Sequence, residues 1–192
     1  MEQQKNENTS KQYFPLFVDL STKKALIVGG GSIGTRRALA LLPFCGSVYV
    51  MDEHPSDELL RKSHETDSLV LIQEAWRLAT VPERRAVGEV DELKTETVNS
   101  LYVDPRISDV DLVLACTDDA EVNEDIHNAC VSRNIPVNIC NDREKCDFYF
   151  PGLAMQDDVV VGITASGQNH GKVRKLRQAI EKILHANRNG SC

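Results

Sequence analysis

With 192 residues, 41% of them hydrophobic, the chain is long enough for one ordinary domain with a real core, or for one domain and a small appendage. A formal net charge of −7 argues against nucleic acid as the main partner, because phosphates need a basic face. No apolar run approaches the roughly 20 residues of a membrane-spanning helix, and six cysteines without a Cys-x-x-Cys pair suit a reducing, cytoplasmic setting rather than a zinc site.

Residues 1–12 are polar, carry no signal-peptide segment and read as a disordered tail. Tyr13 to Leu20 is a compact apolar lead-in, and Ser21 to Lys24 is a turn. The first strand, Leu26-Ile-Val28, enters a Gly-x-Gly-x-x-Gly turn at Gly29, Gly31 and Gly34, with Ser32 and Ile33 between the last two. Gly29 permits the tight turn, Gly31 lets a pyrophosphate approach the backbone, and Gly34 lets the next helix lie close to the strand. That helix is expected from about Gly34 to Leu42, ended by Pro43 and Gly46, and its N-terminus offers N–H groups and a positive dipole end to an anion. A second strand, Ser47 to Met51, ends in Asp52-Glu53, where a carboxylate can bind an adenosine ribose and repel a 2′-phosphate. The cofactor this pattern predicts is NAD. A glycine turn dictated only by packing in a doubly wound sheet is the alternative.

Pro55-Ser-Asp-Glu58 reads as a helix start. Leu69 to Ile72 is a strand, or part of a helix whose apolar pattern continues through Glu74-Ala-Trp-Arg-Leu78. The charged stretch Thr80 to Arg106 is expected to be a surface excursion with short helices. Val110 to Cys116 is a buried strand, and Thr117 or Asp118 can cap the following helix, whose apolar face is Val122, Ile126, Ala129 and Cys130. Thr117 and Asp118 are also cofactor candidates, and Asp119 is either a further carboxylate near the cofactor or a cap. Pro136 to Cys140 is another strand. Strands and helices alternate, so the sheet is parallel with crossovers, and the ligand belongs over the strands' carboxyl ends near Gly31, Asp52, Thr117 and Asn141. Cys45, Cys116, Cys130 and Cys140 sit in apolar segments and read as small core residues.

After Pro151 the character changes. Asp158 to Thr164 reads as one strand, Ala165 to Gly171 as a loop, and Lys172 to His185 as a basic amphipathic helix with Val173, Leu176, Ile180, Ile183 and Leu184 on one face. One strand and one helix cannot bury themselves alone. Pairing with a second copy in a homodimer is expected, and packing back onto the first domain is the alternative. The domain reading is a tail (1–12), an NAD-binding Rossmann domain (13–150), a dimerisation segment with helix (151–185) and a flexible tail (186–192).

The order of motifs resembles the siroheme-synthesis family of precorrin-2 dehydrogenases, some of which are also sirohydrochlorin ferrochelatases. The matching segments are Tyr13 to Leu20, Val28 to Gly31, Ala115-Cys-Thr-Asp-Asp119 with Asn123, Val137 to Cys140, Cys146-Asp-Phe-Tyr-Phe-Pro151, and Val161 to Gly167 with Arg174 and Arg177. The resemblance implies a Rossmann-like α/β fold, a following dimerisation segment, and NAD-dependent oxidation of precorrin-2 to sirohydrochlorin. It places an aspartate of the family at Asn141, and an amide serves neither as a carboxylate base nor as a strong metal ligand. Asp142 either substitutes for it as a catalytic group or is an ordinary turn residue. Thr164 and Ala165 stand where the family has Ser-Ser or Ser-Thr, and Asn169-His170 replaces its Ser-Pro.

Asp147 either faces the substrate or sits in a solvated turn. Lys172, Arg174, Lys175 and Arg177 either attract a polycarboxylated tetrapyrrole or form a solvated helix face. His170 is a proton carrier or a surface residue, and no histidine pair has metal-ligand spacing. The reading is therefore a dehydrogenase without chelatase activity. The alternatives are a bifunctional enzyme and an inactive NAD-binding regulatory module.

Overall fold

Short runs of aliphatic and β-branched residues, buried on both faces, build a parallel sheet in this computed structural model, which describes residues 13–76, 110–166 and 168–188. In chain order the elements are β1 (Lys24–Val28), α1 (Ser32–Leu41), β2 (Ser47–Met51), α2 (Asp57–Glu65), β3 (Leu69–Ile72), β4 (Leu112–Ala115), α3 (Ala120–Val131) and β5 (Val137–Ile139). The sheet order is β3-β2-β1-β4-β5, with every pair parallel. The order reverses at β1, so the crevice beyond the carboxyl ends of β1 and β4 is the natural ligand position of a doubly wound sheet.

Leu26, Ile27, Val48, Val113, Leu114 and Val137 are fully buried, and Leu59 of α2 with Ile126 and Ala129 of α3 closes the helix layers over them. Lys23 and the Lys24 backbone N–H both donate to Asp111, at 2.8 Å each, and so tie the entry of β4 to β1. The Leu69–Ile72 run is a strand and not helix, because it pairs in register with Val48–Met51. The residue capping α3 is Asp119, which accepts the N–H groups of Glu121 and Val122, and not Thr117 or Asp118. The excursion expected at Thr80 to Arg106 lies outside the described residues.

The chain divides into two compact units. Residues 19–148 form one, and the described residues up to Val18 and from Tyr149 onward form the other. The lead-in therefore associates with the C-terminal segment, where the Tyr13 and Tyr149 rings pack with centroids 4.3 Å apart. This second unit contains two strands where the sequence pattern suggested one. β6 (Gly152–Gln156) and β7 (Val159–Ile163) form an antiparallel hairpin, and α4 (His170–Arg188) packs on it. Gly152 makes that packing possible, since a Cβ there would lie 2.7 Å from Val173 Cγ1. The first strand of the hairpin escapes notice because Gly-Leu-Ala-Met-Gln has no β-branched residue and no clean alternation. Ala154 is the one buried hydrophobic residue among the described residues of this unit, while Leu176 and Ile183 are 44% and 59% exposed. Among the described residues no helix is long and apolar enough to cross a membrane.

The glycine turn fixes where α1 starts. Gly29 has φ +98° and sits against β4, where a Cβ would lie 2.6 Å from the Cys116 carbonyl oxygen. A Cβ on Gly34 would lie 1.8 Å from the Gly29 carbonyl oxygen, whereas one on Gly31 would meet nothing within 4 Å. Gly34→Ala is expected to cost about 2–4 kcal/mol in urea denaturation through forced displacement of the loop. Gly31→Ala is expected to stay within about 1 kcal/mol of the parent. Equal effects would contradict this division of roles.

Candidate functional site

A cavity of about 510 Å³ opens over the carboxyl ends of the parallel strands in the larger unit. Its floor is the glycine turn and the ends of β1 and β4, with Gly29, Gly31, Ser32, Ile33, Cys116 and Thr117 on it. One wall is the end of β2 and the residues past β3, namely Asp52, Glu53, His54, Glu74 and Trp76, and Asp118, Val122 and Cys140 stand on the other side.

The N-terminus of α1 differs from those of the other two described α-helices in this unit. Ser56 caps α2 and Asp119 caps α3, and both helices carry acidic residues in their first turns. α1 has Gly31 at its N-cap, no side-chain cap and no acid in its first turn. Its leading N–H groups therefore have no side-chain acceptor, and the space where a Gly31 side chain would stand is open. Free donors, a positive helix end and open volume suit a diphosphate. The residues present fit a dinucleotide.

Asp52 locks the turn from the side. Its carboxylate accepts the Gly30 N–H at 2.5 Å and the His54 N–H at 2.7 Å, and each oxygen retains further acceptor capacity. Thr35, one turn into α1, donates its hydroxyl to the Gly30 carbonyl at 2.9 Å and fastens the other side.

The far side is organised by Asn123, 1% exposed on the inner face of α3. Its Oδ1 lies 2.8 Å from the Thr117 hydroxyl and 3.3 Å from the Thr117 N–H. Its Nδ2 donates to the Thr117 carbonyl at 3.0 Å and to Asn141 Oδ1 at 3.2 Å. One buried amide thus joins the β4–α3 loop to the residue beyond β5. Asn123 occurs in the motif run after Asp119, but its position on the apolar face of a helix is the only sequence sign of this bridging role.

Of the residues predicted to bind cofactor, Gly29, Gly31, Ser32, Ile33, Asp52, Glu53, Thr117 and Asp118 line the cavity, and Gly34 lies beneath it in packing contact. The predicted catalytic pair does not line it. Asn141 is held by Asn123, and Asp142 caps a single 3₁₀ turn (Arg143–Lys145) by accepting the Glu144 N–H at 3.0 Å. The Asp147 carboxylate accepts the Val137 N–H at 2.9 Å and so extends the edge of β5. In the smaller unit Arg177 pairs with Glu181, and Arg174 is an exposed residue of α4. His170 is the first residue of that helix and is exposed.

Among the lining residues that were not anticipated as such are Trp76, His54 and Cys140. Trp76 and His54 follow strand ends, the usual source of such residues in parallel sheets. Cys140 was expected in the core, but β5 ends at Ile139, so Cys140 falls at the strand's mouth and is partly open. The neighbouring Cys116 thiol holds Cys140 below the usual thiol range. Cys140 beside it, with burial, pushes Cys116 above that range. Arg37 of α1 donates to Cys116 Sγ at 3.4 Å and to Asn138 Oδ1 at 2.7 Å.

Comparison with known proteins agrees with this geometry. The family described as "Putative NAD(P)-binding" matches residues 16–152. The chain is 33% identical over 90% of its length to the "Probable multifunctional siroheme biosynthesis protein HemA" of Ruminiclostridium josui, of which it covers 28%. It is 31% identical over 91% of its length to siroheme synthase 1 of Pectobacterium atrosepticum, of which it covers 31%. The chain thus spans under a third of these relatives. Its fold is similar to that of the solved structure of SirC, a precorrin-2 dehydrogenase, with a TM-score of 0.61 and 16% identity over 88% of this chain and 70% of that one.

The Asn123 bridge is testable alone. Asn123→Ala removes the acceptor of the Thr117 N–H and is expected to cost about 2 kcal/mol in chemical denaturation. A loss below about 0.5 kcal/mol would mean that water replaces the amide without penalty.

Proposed function

This chain belongs to the NAD(P)-binding family that matches it over residues 16–152, and from that membership we propose that it is an NAD-dependent precorrin-2 dehydrogenase of siroheme biosynthesis. The carrying observation is the uncapped α1 N-terminus opening on the cavity beside Gly31 and Asp52. The names of the relatives, siroheme synthase and a siroheme biosynthesis protein, support the substrate class. Homodimerisation through the smaller unit is part of the reading, supported by the apolar residues that unit leaves exposed. A cytoplasmic setting suits the free cysteines.

Each residue then has a task. The N–H groups at the start of α1 hold the diphosphate, and Asp52 receives the adenosine ribose while its charge disfavours a 2′-phosphate. Thr117 and Asp118, at the mouth of β4, border the part of the cavity toward the nicotinamide end. The bound nicotinamide supplies a two-electron acceptor for hydride. The macrocycle gives up a hydride and a proton, and the proton needs an acceptor within hydrogen-bond reach. Asp118, exposed at the cavity edge, is the carboxylate that lines the cavity on the β4 side, and Asn141 has no basic group to offer.

A second reading is an NAD-binding module without turnover. It is favoured by Asn141 and Asp142, whose side chains both serve structural hydrogen bonds. Anaerobic mixing of excess protein with precorrin-2 and NAD⁺ separates the two. The dehydrogenase forms sirohydrochlorin and NADH in equal amounts, whereas binding without any absorbance change at the nicotinamide band identifies the module. Restoration of turnover by Asn141→Asp would confirm that the native chain is the module. For the cofactor, Asp52→Asn is expected to erode the preference for NAD⁺ over NADP⁺ by about tenfold, read by calorimetry with both. An unchanged ratio would remove Asp52 from the ribose site.

A further inference from the structure

We infer that Cys116 and Cys140 form a redox-responsive dithiol in the wall of the nucleotide cavity, and that joining them weakens nucleotide binding. The bridge itself rests on geometry alone, and its effect on binding rests on the nucleotide reading of the cavity. Ala115 and Ile139 are partners in the β4–β5 register, and the Cys140 N–H donates to the Ala115 carbonyl at 3.0 Å. Cys116 and Cys140 are therefore the next residues out on adjacent parallel strands. Their side chains point to the same side of the sheet, and both line the cavity. Neighbouring strands lie about 4.8 Å apart, within the Cα separation of roughly 4.4–6.8 Å that a disulfide spans.

The two sulfurs have different access. Cys116 is 8% exposed, and Cys140 is more open. Its greater access makes Cys140 the thiol that attacks first, and the neighbouring Cys116 holds it below the usual thiol range. The oxidant is a low-molecular-weight disulfide. The Cys140 thiolate attacks one of its sulfurs and expels a thiolate, leaving a mixed disulfide on Cys140. Cys116 then loses its proton to solvent and attacks Cys140 Sγ, expelling the second thiolate. Two protein thiols are oxidised and one small disulfide is reduced. Arg37, donating to Cys116 Sγ, stabilises negative charge on that sulfur during the second step.

The coupling follows from backbone contact. The Cys116 carbonyl presses on Gly29, and the next residue, Thr117, lines the cavity and is fixed by Asn123. A bridge that draws the ends of β4 and β5 together moves the surface on which the glycine turn rests. Cys146 is not an equivalent partner, because its sulfur is engaged with the backbone of Ile139 and Asp142 at 3.2–3.3 Å.

The test treats the full chain with glutathione disulfide, alkylates the remaining thiols, maps the cross-linked peptides, and measures NAD⁺ binding by calorimetry before and after. The expected result is a Cys116–Cys140 bridge, reversed by dithiothreitol, with NAD⁺ bound roughly tenfold more weakly in the oxidised protein, an ordinary size for coupling between two linked states. By reciprocity, saturating NAD⁺ must make the bridge harder to form by the same factor. In C140S, whatever its starting affinity, oxidant must produce no further change in it, and C116S must stop at a mixed disulfide on Cys140, read by mass. A C140S affinity that still falls with oxidant overturns the coupling. Free alkylation of both thiols after oxidant, or a bridge mapped to another pair, overturns the dithiol. A mapped bridge with unaltered NAD⁺ affinity overturns the coupling. Failure of the reduced protein to bind NAD⁺ overturns the nucleotide reading and the coupling together, and the peptide map still decides the bridge.

Discussion

Backbone packed on backbone, at the first turn of the sheet, is the constraint from which the rest of this architecture follows. Gly34 lies on the Gly29 carbonyl, and Gly29 lies on the Cys116 carbonyl, at separations that no side chain could share. The first contact brings α1 down onto β1, and the second brings β4 alongside with its mouth level with the turn. With the strands drawn together in this way, Asp52 of the β2 end reaches the Gly30 N–H, and Thr35 reaches the Gly30 carbonyl. The loop is thus held from below by contact and from the sides by hydrogen bonds. Its upper surface, at Gly31, is left open.

Function, in this account, is the complement of that constraint. Elsewhere in the unit the helix ends are closed by their own side chains, as Ser56 and Asp119 do for α2 and α3. Among the described α-helices of the unit, only at α1 are the leading donors left without a side-chain acceptor, and there the cavity lies. On the opposite side Asn123 carries the organisation from α3 to the ends of β4 and β5. It fixes Thr117 and Asn141 in one network at a cost that a buried amide repays only when all its bonds are made. The cysteine pair sits where these two systems meet.

The parallel sheet was legible because its strands are uninterrupted aliphatic runs bounded by turns, and because Gly29, Gly31 and Gly34 occur between one such run and a helical pattern. The residues lining the cavity were legible because they fall at strand ends, which a parallel sheet places together. The roles expected of Asn141 and Asp142 came from a resemblance in motif order. The structure shows a different local logic for them, since an amide network and a 3₁₀ cap hold their side chains. The hairpin strand Gly152–Gln156 was missed because its stability is supplied by pairing with Val159–Ile163 and not by its own composition. Cys140 looked like core because the sequence does not mark where β5 stops. Asn123 looked like an ordinary position on a helix face because its partners come from two distant segments.

Trp76 is the chain's one tryptophan, and it stands in the cavity wall. Its fluorescence therefore reports on the site without labels or competing signals. Titration with NADH should quench Trp76 emission saturably, with energy transfer to the nicotinamide, and NAD⁺ should restore the signal by displacement. An emission that stays flat across both titrations, in protein shown to be folded, would contradict the claim that a nicotinamide dinucleotide occupies this cavity.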